Sequence, residues 1–409
     1  SFTMRKNVKR LLCGLLAAAL LIPAAAAAPA SGQKAKLSDI QGHWAEQQIE
    51  QAVAEGWVDG YPDGSFHPDD TITQAEFTKM LLAAFRLPPD SETVTWMWNN
   101  KKWAHDKGWT VAIETYYPAL TDMNTHWLTK QGWLKAAYAS GVLVPADYDG
   151  GKYGPDLPVR RYTIALQTIR AMGMVSTAQK IATDDLTYSD NAQIQDWVKG
   201  YVKVAAQNNV MSGYPDGSFG PKRTATRAEA VVTILRALAY NKGDGEIQAN
   251  LHIEIYSDSL NKEPTEVVDT KNVRMLAADG RIYANLLDLF DAYGINGRTD
   301  DGEQQISWLP IQQVVLAGSG ALYAFQMGNS YWEGGNYLYW YNEPPTPDRG
   351  LPLLGPVRSY YGQPMLPIYD FNRPATDENG RGWASFQADW DPATKTLSTR
   401  YAEPTHYGS

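Results

Sequence analysis

The stretch Gly60-Tyr61-Pro62-Asp63-Gly64-Ser65-Phe66 returns unchanged as Gly213-Tyr214-Pro215-Asp216-Gly217-Ser218-Phe219. Pro-Asp-Gly is tight-turn chemistry: Pro fixes one dihedral and Gly supplies a positive φ. The flanks repeat in register as well. Trp44 and Trp197 stand at equal distances before the two turns, and Gln74 and Arg227 at equal distances after them. A frame of that length is a repeated structural unit.

The first copy spans 37–87. Asp39 and His43-Trp44 open it, and Ala45, Ile49, Ala52 and Val53 follow at helical spacing. Gly56 ends that helix, and Thr73 opens a second one carrying Phe77, Met80, Leu81, Ala84 and Phe85 on one face. The third copy spans 188–240. Ile194, Trp197, Val198, Tyr201, Val202 and Ala205 share one helical face, and burial preference assigns Trp44 and Trp197 to the core. Thr226 opens the last helix, which buries Val231, Ile234, Leu235 and Leu238. Thr73-x-x-Glu76 and Thr226-x-x-Glu229 read as capping boxes. A degenerate second copy spans 120–174. It keeps Asp122, His126-Trp127 and Arg161, but its turn is remodelled over Tyr148–Pro155 and Thr163 stands where the other copies have Glu. Residues 88–119, with Trp96, Trp98, Trp103 and Trp109, form an insertion packing on the repeats.

The N-terminus has its own signature. Arg5, Lys6, Lys9 and Arg10 precede the apolar run Leu11–Ile22 and an Ala-rich stretch, so residues 1–30 read as a secretory signal peptide with a short upstream extension. Cys13, the single cysteine, lies inside that run, and a mature chain without it has no disulfide or thiolate metal site. The net charge is −9, and losing the four leader cations makes the mature chain more acidic still. Nucleic acid is excluded as a partner by that balance, and an anionic polymer needs a local basic pocket to bind. At 409 residues the chain holds two or three domains.

The repeats resemble S-layer homology domains. The marks are an Asp before a helix-opening His-Trp or Asp-Trp, the Gly-Tyr-Pro-Asp-Gly-Ser-Phe turn, a Pro two residues on, and Thr-Arg-Ala-Glu opening the second helix. The resemblance covers 37–240 and implies three repeats in a pseudo-threefold helical bundle. It implies a secreted bacterial surface protein held in the S-layer or wall by non-covalent binding to a peptidoglycan-linked secondary polysaccharide, often pyruvylated. It implies ligand contacts at Arg227 and Arg161, with Gly213, Tyr214, Gly60, Tyr61, Asp39, Asp190, Trp44 and Trp197 around them. A guanidinium offers paired donors to a ketal carboxylate, and a glycine turn lets backbone N–H groups approach an anion. Arg227 is the leading contact on this reading. Gln74 replaces the arginine after the first turn, so carboxylate binding is expected mainly at the 213–219 copy.

Residues 241–245 (Asn-Lys-Gly-Asp-Gly) read as a linker, and 246–407 as a β-rich α+β domain with a helix at 286–293. Tyr331–Tyr341 reads as a hairpin turning at Gly334-Gly335-Asn336, with Tyr337, Tyr339 and Tyr341 on one face. Gln363–Asp370 and Phe386–Leu397 resemble the stalk domain named after the N-terminal region of copper amine oxidases, with an earlier half-copy at Gly280–Phe290. That resemblance implies a binding or spacer module and no copper. Glu343, Asp348, Asp370, Asp389 and Asp391 are available for glycosidase-like chemistry, but no nucleophile elbow, zinc motif or phosphate loop accompanies them. The chain is therefore expected to be a non-catalytic, cofactor-free anchor displaying a C-terminal module. A wall-anchored glycan hydrolase and a protein-interaction module are the alternatives.

Overall fold

Amphipathic spacing and capping residues build the N-terminal half. A computed structural model describes residues 36–104, 110–111, 120–257, 263–295, 306–317, 321–336, 350–372 and 386–402. The leader with Cys13, and Trp109 of the insertion, lie outside them. Helix α1 (Glu46–Glu55) buries Ile49 and Ala52 and ends at Gly56. Helix α2 (Gln74–Ala84) starts at Thr73, whose hydroxyl accepts from Glu76 N, and buries Phe77, Met80, Leu81 and Ala84. The insertion contributes α3 (Glu92–Asn100), capped by Ser91, and a two-strand ladder, β1 (Trp103–Ala104) with β2 (Thr110–Val111).

The middle segment supplies α4 (Trp127–Lys130), α5 (Trp133–Ser140), α6 (Arg161–Ala171) and α7 (Val175–Lys180). The third copy supplies α8 (Asp196–Gln207) and α9 (Arg227–Lys242). Each of α2, α6 and α9, the helices that follow the three turn regions, packs on the other two. That explains why α6 is buried from Thr163 through Ala171 on every side, as a central helix must be.

The C-terminal half is β-rich, as its β-branched and aromatic runs require. One sheet has the order β12-β11-β10-β9-β8, from Leu351–Pro352, Tyr331–Asn336, Ala321–Gln326, Val314–Ala317 and Ile306–Leu309. A second has the order β13-β14-β7-β6-β3, from Arg358–Tyr360, Gln363–Asp370, Arg281–Asn285, Met275–Ala278 and Gly245–Ile247. A third has the order β15-β16-β4-β5, from Ala388–Asp391, Thr396–Ala402, Asn250–Tyr256 and Glu266–Thr270, with β16 and β4 parallel. Helix α10 (Leu286–Ala292) follows β7 directly, in line with the helix expected there. Among the described residues no helix is long and apolar enough to cross a membrane.

Two expectations are corrected. Residues 241–245 do not form a free linker: α9 continues to Lys242 and β3 begins at Gly245. Asn241 is fully buried, and its Oδ1 accepts from Tyr361 N at 2.8 Å. Gly334-Gly335-Asn336 is not a turn. These residues continue β11, pairing with Leu322 and its neighbours on β10, because ladder bonds need only backbone. Tyr337, Tyr339 and Tyr341 lie outside the described residues.

The two halves belong to one compact unit, and hydrogen bonds cross the seam between them. Trp308, 1% exposed, donates its indole N–H to Ala139 O at 2.7 Å. Gln313 Nε2 donates to Arg170 O at 2.7 Å, capping the end of α6. Ser176 and Lys180 of α7 bond Asn329. Gly141 is required by position: its φ is 75°, and a Cβ there would lie 2.1 Å from Pro310 O.

Candidate functional site

Each turn is first of all a self-contained backbone structure. Asp63 Oδ1 accepts from Ser65 N and Oγ, and Asp216 repeats this with Ser218. Gly64 and Gly217 take φ near 84°, where a side chain is strained. Gly60 and Gly213 are glycine through crowding. A Cβ on either would lie 2.9 Å from a carbonyl of its own turn and closer still to Leu37 or Tyr188.

The aspartates that open the repeats clasp these turns. Asp39 accepts from Phe66 N at 2.7 Å and His67 N at 2.9 Å. Asp190 accepts from Phe219 N and Gly220 N, and Asp122 from Tyr153 N and Gly154 N. Asp39 and Asp190 therefore tie chain start to turn. Burial opposes the Asp39 charge, but the His67 and Phe66 backbone N–H groups outweigh it and hold its carboxyl below the ordinary 3.8. With a depressed folded pKa, the clasp contributes fully above the ordinary value and is lost as pH falls through the folded one. Asp39→Ala is expected to destabilise by about 1 kcal/mol at this exposed site. The gap between variant and wild-type melting temperatures should close below about pH 4, measured by thermal melts across pH.

The residues after the turns do not serve their own turn; each reaches the turn of another segment. Arg227 Nε donates to Phe66 O at 3.0 Å, with its guanidinium 5.0 Å from the Tyr61 ring centre. Arg161 Nε donates to Phe219 O at 2.9 Å and Nη2 to Ser212 O at 2.6 Å, 4.6 Å from the Tyr214 ring. Gln74 Nε2 donates to Tyr153 O at 2.8 Å. The backbone follows the same circuit. Arg227 N donates to Asp70 O, Arg161 N to Arg223 O and Gln74 N to Leu157 O. The expectation that Arg227 acts at the 213–219 turn is thus corrected: that turn belongs to Arg161. No local sequence rule reports which segment a side chain crosses to.

The three sites differ in charge. Arg227, 8% exposed, pairs with Glu76 Oε2 at 3.3 Å, beside a flank carrying Asp69 and Asp70. Glu76 therefore gives its carboxylate to Arg227 and Thr73 Oγ1, whereas Glu229 completes the reciprocal capping box with Thr226. The Gln74 site is flanked by Asp156 and Leu157 and has a neutral amide where the other two sites have a guanidinium. At the 213–219 turn, Arg161 has no ion pair among the described residues; burial lowers its pKa. Arg223 lies with its guanidinium 4.3 Å from the same Tyr214 ring, and a hydrogen bond to Tyr214 raises its pKa. Arg223 was missed in the sequence, though the signal is there: Lys222-Arg223 stands in register with Asp69-Asp70.

The tryptophans are also corrected. Trp44 is 61% and Trp197 47% exposed. Trp44 precedes α1 and Trp197 lies in the first turn of α8, and their neighbours Ala45 and Val198 take the inward positions. Tyr61 is exposed as well, so Trp44, Tyr61 and Trp197 present aromatic surface to solvent.

Comparison with known proteins bears on these segments. The family model for the S-layer homology domain matches residues 36–78 and 187–231. The chain carries S-layer homology domains. The middle cell wall protein of Brevibacillus brevis is 41% identical over 107 residues, 26% of this chain and 10% of that protein. The cellulosome-anchoring protein of Acetivibrio thermocellus is 46% identical over 48 residues, 12% of this chain and 11% of that one. The amylopullulanase of Thermoanaerobacterium thermosulfurigenes is 28% identical over 198 residues, 48% of this chain and 9% of the enzyme. The chain thus spans about a tenth of the length of these relatives. The two S-layer homology matches bracket the middle segment with its Arg161, and they end before the β-rich half.

Two of the carboxylates considered for catalysis have structural partners, and Asp389 is exposed on β15. Asp370 is buried and paired with Arg281, and Asp391 closes the β15–β16 turn through Ala393 N and Thr394 Oγ1. Glu343 and Asp348 lie outside the described residues. Among the described residues no cluster of ligating side chains suits a metal ion.

Proposed function

We propose that the chain is a secreted bacterial surface protein held on the cell wall, without a covalent bond, by its S-layer homology repeats. The middle segment is the degenerate second repeat, and the three together form a pseudo-threefold bundle around α2, α6 and α9. The circuit of turn contacts through Arg227, Arg161 and Gln74 supports that reading. The ligand is an anionic secondary wall polysaccharide, with a carboxylate such as a pyruvate ketal at the binding point. The observation that carries this choice is the pair Arg161 and Arg223 around Tyr214, the cationic one of the three sites. In a chain this acidic, such a local pair is what an anionic polymer needs. Arg161 supplies an oriented fork and Arg223 an accessible charge, both against the Tyr214 ring. The names of the cell wall and cellulosome-anchoring relatives point the same way. S-layer homology domains are non-catalytic anchors, and the β-rich half is proposed as a binding or spacer module fixed to that anchor.

The test is co-sedimentation of the full chain with purified wall sacculi, before and after extraction of the secondary polymer, and after mild acid removal of ketal pyruvate. Binding should be lost with the polymer and reduced with the ketal. Sedimentation unaffected by polymer extraction would assign the repeats to protein contacts instead.

A further inference from the structure

The insertion helix α3 meets the β-rich half along a cleft. Two adjoining cavities of about 170 and 210 Å³ share Thr93, Arg274 and Gln363 as common walls. Together they fall near the low end of the roughly 300–1,000 Å³ typical of small-ligand sites. One side is α3, through Thr93 and Trp96. The other is the second sheet with α10. The close approach at Gly362 sets the spacing, since a Cβ there would lie 2.8 Å from Leu87 and 3.4 Å from Thr93.

The lining has a definite chemistry. Gln363 Nε2 donates to Thr93 Oγ1 at 3.1 Å, and its Oε1 accepts from the Asn285 amide. An amide, a hydroxyl and a second amide thus stand in one row, each with further donor or acceptor capacity. Trp96 is half-buried against Trp308, with ring centres 6.3 Å apart, and lines the second cavity. At the far end Tyr360 and Tyr361 line the first cavity, with the Arg86 guanidinium 3.8 Å from the Tyr361 ring centre. An aromatic face beside a row of amides and hydroxyls fits a ring with an apolar face and polar edges.

Charge decides which kind of ring. The cavities present four carboxylates, Glu92, Glu246, Asp288 and Asp291, against two guanidiniums, Arg86 and Arg274. Arg274 is already committed to Asp288 through two bonds, at 2.8 and 3.0 Å. The excess is negative, which repels an anionic sugar. We propose that this cleft binds a short neutral or amine-bearing saccharide, one or two rings long, chemically distinct from the anionic polymer assigned to the repeats. The site needs both halves of the chain, so the seam between them forms a binding feature as well as a structural one.

The experiment titrates the full chain with cellotetraose, chitotetraose and glucosamine tetramer, and with digalacturonate as the anionic probe. Calorimetry and tryptophan fluorescence report binding. A neutral or cationic tetramer should bind with Kd between about 10 µM and 1 mM, and digalacturonate should not. Trp96→Ala and Gln363→Ala should each weaken binding at least about tenfold, with Trp96→Tyr restoring part of the affinity and sedimentation with sacculi unchanged. Thr93→Val, which keeps shape, carries the test if Trp96→Ala fails to fold. No binding of any neutral or cationic tetramer at about 10 mM overturns the proposal. So does preference for digalacturonate, or binding that survives the cleft substitutions. The assay uses soluble sugars, so it stands or falls independently of wall attachment.

Discussion

Trp308→Ala is expected to lower the unfolding free energy of the whole unit by about 4 kcal/mol, the cost of emptying a buried indole site. The effect should not be confined to the β-rich half. Trp308 belongs to β8, yet its N–H bonds Ala139 O at the end of α5 and its ring meets Trp96 of α3. Its own carbonyl accepts from Lys102 N. Around it, Gln313 caps α6, Asn329 holds α7 and Tyr361 N is held by Asn241 of α9. Truncation leaves a cavity and an unpaired carbonyl that packing does not refill. Urea unfolding followed by circular dichroism and by fluorescence should give one shared transition at a lower midpoint. Two separated transitions, with the helical one unmoved, would show that the seam does not couple the halves. Gly141→Ala is the companion change, because a Cβ there meets the Pro310 carbonyl.

What was legible in the sequence follows the range of the forces involved. Helix capping, periodic apolar faces and turn chemistry act over a few residues, so α1, α2, α8, α9 and the turns at 60–66 and 213–219 were readable from Thr73, Thr226, Gly56 and the repeated heptad. The α10 segment after Asn285 was equally local. The seam was not legible, because Gln313 to Arg170 and Trp308 to Ala139 join residues far apart in the chain. Asn241-Lys242-Gly243-Asp244-Gly245 has the composition of a linker, and composition carries no record of a buried Asn241 side chain. Trp44 and Trp197 were assigned to the core on burial preference, which belongs to the residue type, whereas their neighbours Ala45 and Val198 fill the inward positions. At the site, residue types were legible and their partners were not. Arg227 and Arg161 look equivalent in sequence, and they differ because Glu76 turns its carboxylate to Arg227, whereas the corresponding Glu229 beside Arg161 stays in its capping box with Thr226.

That difference sets the second large effect. Arg223→Ala and Arg161→Ala are each expected to weaken binding of the purified wall polymer about 10- to 100-fold, as loss of a charge-assisted contact does. Arg223 is exposed, with its guanidinium against Tyr214, so its loss should leave the melting temperature nearly unchanged. Arg161→Lys should recover part of the affinity, since it keeps the charge but loses the planar fork that spans Phe219 O and Ser212 O. Arg227→Ala should behave in the opposite way. Its guanidinium is buried between Phe66 O and Glu76, so removal takes that donor from Phe66 O, leaves Glu76 with Thr73 Oγ1 alone, and lowers stability by about 2 kcal/mol. Below its melting temperature that variant should still bind. Polymer binding by surface plasmon resonance, with each variant's melting curve alongside, separates the two roles. Binding that disappears in Arg227→Ala while the Arg161 and Arg223 variants bind as wild type would move the site to the 60–66 turn. The affinity should also fall with added salt through these two cations, and more shallowly once either is removed.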